Sequence, residues 1–171
     1  MTSVVIIMAH HQDVKELTTN DLKQLGSRLL QKSRHKFLGV FPAHSLPYRR
    51  ERQKHLQRIC FIVNTHTSSG GGVHWVAFCF DEKGHGHFFD SYGKKPAVYH
   101  RDWTQYLDSH CRYWTYNSKI VQKGLQPTCG YHCLYYLYRR GMYTCTHDKL
   151  LLANHSDDNV LRWFRNKVAS Y

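Results

Sequence analysis

Runs of hydrophobic residues bounded by turn residues predict a small β-sheet in the first half of the chain. Residues 59–64 and 73–80 are rich in β-branched and aromatic side chains, and a Ser/Gly-rich loop separates them. Residues 87–90 follow after a turn, so the three runs predict an antiparallel meander with one well-covered face. Upstream, residues 37–41 form a short buried extended segment that ends at Pro42.

Apolar residues at three- and four-residue steps predict helices around this sheet. The first predicted helix has Thr19 or Asn20 as its cap and an apolar face made of Leu22, Leu25, Leu29 and Leu30. A helix at 99–110, a strand at 111–116 and a helix through 150–152 follow. A last helix is capped by Asp157 or Asp158 and directs Leu161, Phe164 and Val168 inward. This order is not a regular βαβ alternation, so we expect an α+β fold. No linker or repeat divides residues 1–171, which suits a single domain.

A predicted helix in the last third of the chain carries a candidate nucleophile. Pro127 cannot continue a helix, whereas Leu134 and Leu137 recur as the buried side of one would, and Gly141 is the predicted stop after a basic last turn. Cys129 therefore lies at or just before the first helical turn, where the positive end of the helix dipole favours a thiolate. Gly130 would let another chain approach the sulfur. The alternative is a cysteine that only packs in the core.

Basic residues dominate the composition. The 171 residues carry a formal net charge of +12 before any of the 14 histidines is counted. Such a charge indicates an anionic partner, with nucleic acid the leading candidate, although a soluble protein with a merely solvated basic face is the alternative. The densest basic run supplies the predicted phosphate contacts Arg49, Arg50, Arg52, Lys54 and Arg58.

Cysteine and histidine spacing argues against a structural metal site. The six cysteines include no CxxC pair, and the nearest Cys/His combinations lack the paired spacing of a zinc site. We therefore expect reduced thiols and no metal or small-molecule cofactor. The opening apolar run at 4–8 is too short for a signal sequence, and no run approaches membrane-spanning length. These features indicate an intracellular protein without a membrane partner.

Four residues from distant parts of the chain can form an acyl-transfer site. His74 opens one strand of the meander and Asp90 closes the next, so the carboxylate can orient the imidazole, although a merely structural pair is the alternative. The imidazole would deprotonate Cys129 and later protonate the leaving amine. Gln122 can direct an amide N–H at the oxyanion, with the Cys129 backbone N–H as the second donor. Gln126 is a competing oxyanion candidate, but the adjacent Pro127 and its closeness to Cys129 favour Gln122.

These residues stand in motifs that resemble the adenain family, the cysteine proteases of adenoviruses. The resemblance is carried by residues 71–78 with their His–Trp pair, by 62–65 before them, by 37–41 upstream, and by 121–130, which span the family's oxyanion and nucleophile motif without a gap. It extends from about the first helix to about residue 141. The His–Trp, Asp–Ser and Gln…Cys–Gly pattern is also similar to that of the SUMO-specific proteases.

The resemblance implies a fold and an activity. The fold would be papain-like in permuted order, with a central mixed sheet packed against the helix that carries Cys129. The activity would be cleavage of virion precursor proteins next to small residues, especially Gly, in the virion and the host nucleus. Trp75 would roof a narrow substrate slot, and its alternative role is that of a core aromatic.

The resemblance also implies macromolecular cofactors. Adenain is assisted by DNA and by a short basic peptide held through a disulfide, and Cys111 occupies the position of the cysteine that forms it. A chance strand cysteine is the alternative for Cys111. Two features depart from the family: Asp90 stands where adenovirus enzymes usually carry Glu, and the C-terminal arm is shorter.

Two rival functions are compatible with the same residues. A deconjugating peptidase acting on ubiquitin-like tails that end in Gly–Gly would share the chemistry but ignore DNA. A basic DNA-binding protein without catalysis would use the cysteine and the histidine only for packing.

Overall fold

The computed structural model describes residues 14–47, 57–66, 74–143 and 152–169. The helices are α1 (Thr19–Leu29), α2 (Asp102–His110), α3 (Cys129–Met142) and α4 (Asp157–Ala169), and the strands are β1 (Lys36–Pro42), β2 (Ile59–Asn64), β3 (Trp75–Phe80), β4 (His85–Phe89) and β5 (Tyr113–Tyr116). The predictions for residues 4–8 and 49–54 lie outside the described residues. So does the predicted helix through 150–152, apart from Leu152, which lies in a turn. No helix within the described ranges is long and apolar enough to cross a membrane.

The five strands form one mixed sheet in the order β1-β2-β3-β4-β5. Strands β2, β3 and β4 are the antiparallel meander predicted from the sequence, with Ile59 opposite Phe80 and Ala77 opposite Phe89. Strands β1 and β5 pair in parallel with their neighbours at the two edges. The predicted α+β class with a mixed central sheet is therefore confirmed.

Helices cover both faces of the sheet, which corrects the prediction of one covered face. Strand β3 is buried at all six positions because its side chains alternate between two cores. Ala77 belongs to the core formed with α1, α3 and α4, whereas Phe78 belongs to the core formed with α2. A strand buried on both sides carries a continuous apolar run, as residues 75–80 do, whereas a strand with one covered face alternates apolar and polar residues.

Helix α3 is buried along most of its length. Every residue from Cys129 to Leu137 is buried, where the helix packs on β3 and between α1 and α4. The predicted stop at Gly141 is wrong, because the helix continues to Met142. Gly141 instead allows close packing: a Cβ at this position would overlap the Ser33 hydroxyl.

The cap of α1 lies one residue earlier than either predicted position. Thr18 Oγ1 accepts from the Asp21 N–H at 3.2 Å, while the Asp21 carboxylate accepts from the Thr18 N–H at 2.9 Å. This reciprocal pair is a capping box, which satisfies two donors at the helix start. Neither Thr19 nor Asn20 is the cap, because both are already helical.

Two predicted apolar faces are more exposed to solvent than the sequence predicts. In β1 only Val40 is buried, because this strand lies at the edge of the sheet. In α4 the buried residue is Val160, while Leu161 and Phe164 are half-buried against the core and Val168 is exposed. The helix is thus rotated relative to the predicted face.

Candidate active site

The two strand ends that the sequence predicts to be neighbours do meet. His74 directly precedes β3, Asp90 directly follows β4, and the antiparallel register brings their side chains together. His74 Nε2 lies 2.6 Å from Asp90 Oδ1, and the carboxylate is fully buried. A buried carboxylate therefore orients the imidazole.

Donors hold both oxygens of the Asp90 carboxylate. Besides His74, the N–H groups of Tyr92 and Lys94 donate to it at 3.1 and 2.8 Å, and the Tyr99 hydroxyl donates at 2.8 Å. Burial alone would raise the pKa of Asp90, but the hydrogen bond and charge of His74 and the two backbone N–H groups lower it. The carboxylate therefore stays ionised and fixed in orientation.

His74 also hydrogen-bonds the thiol of Cys129, the first residue of α3. Because Asp90 binds Nε2, Nδ1 is the ring nitrogen that remains for the sulfur. Burial alone would lower the pKa of His74, but the hydrogen bonds to Asp90 and Cys129 outweigh it and raise the pKa to about 9. His74 is therefore an imidazolium at neutral pH, the neighbour that stabilises a thiolate.

Tyr92 covers His74 on its solvent side. The two rings stack with centroids 4.8 Å apart at an interplanar angle of 27°, and Tyr92 remains 37% exposed. Lys94 Nζ lies 5.7 Å from the centroid of the same phenol ring. Tyr92 thus forms a wall of the candidate site against one face of the imidazole.

Ser91 fixes the position of Gln122, the candidate oxyanion donor. The Gln122 N–H donates to the Ser91 carbonyl at 3.1 Å, and the Ser91 hydroxyl donates to Gln122 Oε1 at 2.7 Å. The amide nitrogen is thereby directed to the turn before Cys129, where it donates to the Gln126 carbonyl at 3.1 Å. Gln122 is buried, and the second N–H of its amide is the candidate oxyanion donor. Gln126 contributes its backbone carbonyl to this network.

A single carboxylate from α4 anchors the segment between Gln122 and the nucleophile. Asp157 Oδ2 accepts from the N–H groups of Lys123 and Gly124 at 2.8 and 3.1 Å. Asp157 Oδ1 accepts from Thr128 Oγ1 at 2.6 Å and pairs with His132 Nε2 at 2.9 Å. Burial alone would raise the pKa of Asp157, but these four partners lower it well below its usual range. Thr128 is the N-cap residue of α3, yet its hydroxyl makes no cap and binds Asp157 instead.

Replacing Asp157 with alanine should loosen this segment. We expect kcat to fall about 10- to 100-fold, since displacement of a reacting group by about 1 Å has effects of that size. The free energy of unfolding should fall by about 2–4 kcal/mol, because His132, which is fully buried, loses its partner. Peptide turnover and urea unfolding measure the two effects. Asp158→Ala is the matched control, since this neighbour is exposed, and equal loss in both variants would contradict the anchoring role.

Trp75 and Gly130, predicted to line the substrate slot, both pack against core residues. Trp75 is 2% exposed, and its Nε1–H donates to the Leu17 carbonyl at 3.1 Å. A Cβ at Gly130 would lie 3.2 Å from Leu17 Cβ and 3.3 Å from Leu22 Cδ2. The structure therefore indicates the core role for Trp75, and it indicates that Gly130 accommodates the segment before α1.

The structure describes one of the five predicted phosphate contacts and the predicted disulfide position. The four basic residues at 49–54 lie outside the described residues, while Arg58 forms an ion pair with Glu82. That pairing lowers the pKa of Glu82 to about 2 and leaves Arg58 a weaker phosphate contact than the sequence suggested. Cys111 is half-buried, and its thiol donates to the Leu107 carbonyl at 2.9 Å. None of the five cysteines in the described ranges is in a disulfide.

Several supporting residues were not identified from the sequence. They are Tyr92, Tyr99, Asn117 and Asp157, together with the orienting role of Ser91. Asn117 binds the Asp90 backbone on both sides, accepting from its N–H at 2.8 Å and donating to its carbonyl at 2.6 Å. Only Ser91 and Tyr92 could have been suspected from the sequence, because they directly follow Asp90.

This arrangement defines a class of protein. A thiol at a helix start, bonded to an imidazole that a buried carboxylate orients, is the site of a papain-like cysteine peptidase. The chain belongs to the adenovirus endoprotease family, whose sequence profile matches residues 37–152. The matched region contains His74, Asp90, Gln122 and Cys129. No curated protein sequence matches the chain significantly.

Two solved structures are similar in fold. The ASFV pS273R protease superposes with a TM-score of 0.56 at 18% identity, over 86% of this chain and 66% of that one. The central domain of the uncharacterized Lpg1148 protein from Legionella pneumophila gives a TM-score of 0.54 at 17% identity, over 93% of this chain and 98% of that domain. The chain thus spans just under two thirds of the length of the ASFV protease and nearly all of the Legionella domain.

Proposed function

We propose that this chain is a cysteine endopeptidase with Cys129 as nucleophile, His74 as acid and base, and Asp90 as orienting carboxylate. The observation that carries the proposal is the continuous hydrogen-bonded series from the Cys129 thiol through His74 to a fully buried Asp90. A merely structural His–Asp pair would not need a thiol on the other ring nitrogen. Because its pKa is raised to about 9, His74 carries a proton at neutral pH, and the leaving amine requires this proton.

The reaction proceeds through an acyl-enzyme. The Cys129 thiolate attacks the scissile carbonyl carbon, and the carbonyl electron pair moves to oxygen. When the tetrahedral intermediate collapses, the C–N bond breaks and His74 Nδ1 gives its proton to the departing amine. His74, now neutral, takes a proton from water, whose oxygen attacks the thioester. Collapse of the second intermediate releases the carboxylic acid product and regenerates the thiolate–imidazolium pair.

The developing oxyanion receives two donors. One is the second N–H of the Gln122 amide, which Ser91 and the Gln126 carbonyl hold in a fixed orientation. The other is the Cys129 backbone N–H at the start of α3, where no side-chain cap occupies the helix terminus. Both donors are fixed before the substrate arrives, so little reorganisation is needed in the transition state.

The substrates we propose are virion precursor proteins cleaved next to small residues, especially Gly. Membership of the adenovirus endoprotease family supports a viral substrate. The Tyr92 ring beside His74 narrows the approach to the sulfur and supports a preference for residues without bulky side chains. The corresponding place of action is the virion, with assembly in the host nucleus.

We further propose that DNA stimulates the peptidase. The net charge of +12 supports this, and an open cavity of about 680 Å³ has Arg34 and Lys36 in its lining. Sliding along DNA would confine the search for immobile substrates to one dimension. A basic activating peptide, disulfide-linked to Cys111, is the second proposed stimulus, and it requires this half-buried thiol to leave the Leu107 carbonyl.

Cleavage of a Gly-containing peptide library, with and without duplex DNA, tests the proposal. We expect cleavage adjacent to Gly, with a higher rate on DNA that declines steeply as salt rises, because counterion release governs the affinity. Preferential cleavage of folded ubiquitin-like conjugates over these peptides would favour the deconjugating peptidase instead. DNA affinity that barely changes with salt would contradict the role of the basic surface.

A further inference from the structure

A second cluster of metal-ligand side chains lies at the opposite end of β4 from Asp90. Asp81, His85 and His87 belong to the seven-residue sequence DEKGHGH, which turns from β3 into β4. His85 and His87 are two positions apart on a strand, so their side chains project from the same face. One potential ligand atom from each of the three residues lies within 4.8 Å of the others.

Hydrogen bonds around the cluster fix the ligand atoms. Asp81 Oδ1 accepts from the N–H groups of Lys83 and His85, both at 2.9 Å, and Asp81 Oδ2 lies 3.9 Å from His85 Nδ1. His87 Nδ1 lies 3.0 Å from Thr115 Oγ1 on β5, which leaves Nε2 as the ligand atom. A histidine that binds a metal is usually oriented in this way, through a hydrogen bond on its other nitrogen.

A third histidine beside the cluster has an unsatisfied nitrogen. His35 is 6% exposed, and its Nδ1 is buried without a hydrogen-bond partner in the described part of the chain. Its electrostatic neighbours include Asp81, and it in turn acts on His87. Buried polar atoms are almost always satisfied, so the unmatched nitrogen marks a polar group near the cluster. His35 is not one of the three residues whose ligand atoms lie within 4.8 Å of one another, so it is not counted as a ligand.

The charges nearby restrict which ligand fits. Arg140 and Arg58 are also electrostatic neighbours of this cluster, although Arg58 is already paired with Glu82. With one carboxylate and two such cations, the site does not suit Ca²⁺ or Mg²⁺, which need several oxygen ligands. Neutral imidazoles bind zinc-class ions through nitrogen and do not depend on a large negative charge.

We propose that Asp81, His85 and His87 bind a divalent ion of the zinc class. An ion equidistant from three atoms 4.8 Å apart would lie about 2.8 Å from each, so side-chain shifts below about 1 Å would reach ordinary Zn–N and Zn–O distances. His85 is about 16 Å from Asp90 along β4, given the rise of a strand. The ion would therefore join the β3–β4 turn to strand β4 without touching Cys129.

Calorimetric zinc titration of chelator-treated, full-length Cys129→Ala protein tests the site without interference from the catalytic thiol. We expect one bound ion and a higher Tm. The double variant His85→Asn/His87→Gln should bind zinc at least tenfold more weakly and lose the rise in Tm. His44→Asn is the matched control, because this histidine is exposed, and it should bind like the parent.

Cobalt substitution gives an independent readout. A site of two nitrogens and one oxygen should give visible cobalt bands without a thiolate-to-cobalt charge-transfer band. That charge-transfer band, equal zinc affinity in the parent and the double variant, or no binding at all would each overturn the proposal. If the double variant does not fold, His85→Asn alone serves the same comparison, because this side chain is 25% exposed.

Discussion

Cys129→Ala should abolish peptide cleavage, with a loss of at least about 10⁴-fold in kcat, because no other group can form the acyl-enzyme. The fold should persist, since removal of one sulfur from a buried position costs only about 1 kcal/mol of unfolding free energy. Turnover of a Gly-containing peptide and urea unfolding measure the two quantities. Cys133→Ala is the matched control, because this thiol is also buried in α3, one turn further along. It should keep most of the activity.

Thiol alkylation separates catalysis from packing. Cys129 should react with a small electrophile faster than the other cysteines, because the His74 imidazolium stabilises its thiolate. His74→Ala should remove this selectivity. Uniform slow labelling with no peptide turnover would favour a basic DNA-binding protein without catalysis. Undiminished turnover in Cys129→Ala would show that the nucleophile is another residue.

Asp90→Asn should lower kcat by at least about 10²-fold and shift the pH profile. The carboxylate accepts from donors on both oxygens, and the amide would replace one acceptor with an NH₂ group that faces other donors. His74 would then lose its fixed orientation. Because the hydrogen bond to Asp90 helps to raise the pKa of His74 to about 9, loss of the carboxylate lowers that pKa.

The sign of the pH effect follows from the role of His74. In the parent protein, kcat/KM should fall as pH rises through about 9, where the proton for the leaving amine is lost. In Asp90→Asn this alkaline limb should move to lower pH. Tyr99→Phe is the graded control: it removes one donor to Asp90 and keeps the carboxylate, so the limb should move little. An alkaline limb that stays in place in Asp90→Asn would show that Asp90 does not control the proton on His74.

Much of the fold was readable from local patterns. The Ile59–Asn64 strand was predicted at its observed bounds, since hydrophobic β-branched residues end there at Asn64. The start of α3 was also predicted, because Pro127 excludes an earlier beginning. The errors lie at β3 and at the end of α3. The continuous apolar run of β3 is typical of a strand buried on both faces, although one covered face was predicted, and Gly141 was predicted as a stop although it serves helix packing.

For the site, the sequence determined the chemical groups, and the tertiary structure determined their environment. Four reactive or polar residues and the strand order that joins His74 to Asp90 follow from residue type and from the two-residue period of strands. The fourfold hydrogen bonding of Asp90, the Tyr92 cover and the Asp157 anchor depend on contacts between segments distant in sequence. Such contacts leave no local periodicity. Packing of α4 against α3 therefore decided, beyond what the sequence alone revealed, how firmly the nucleophile is held.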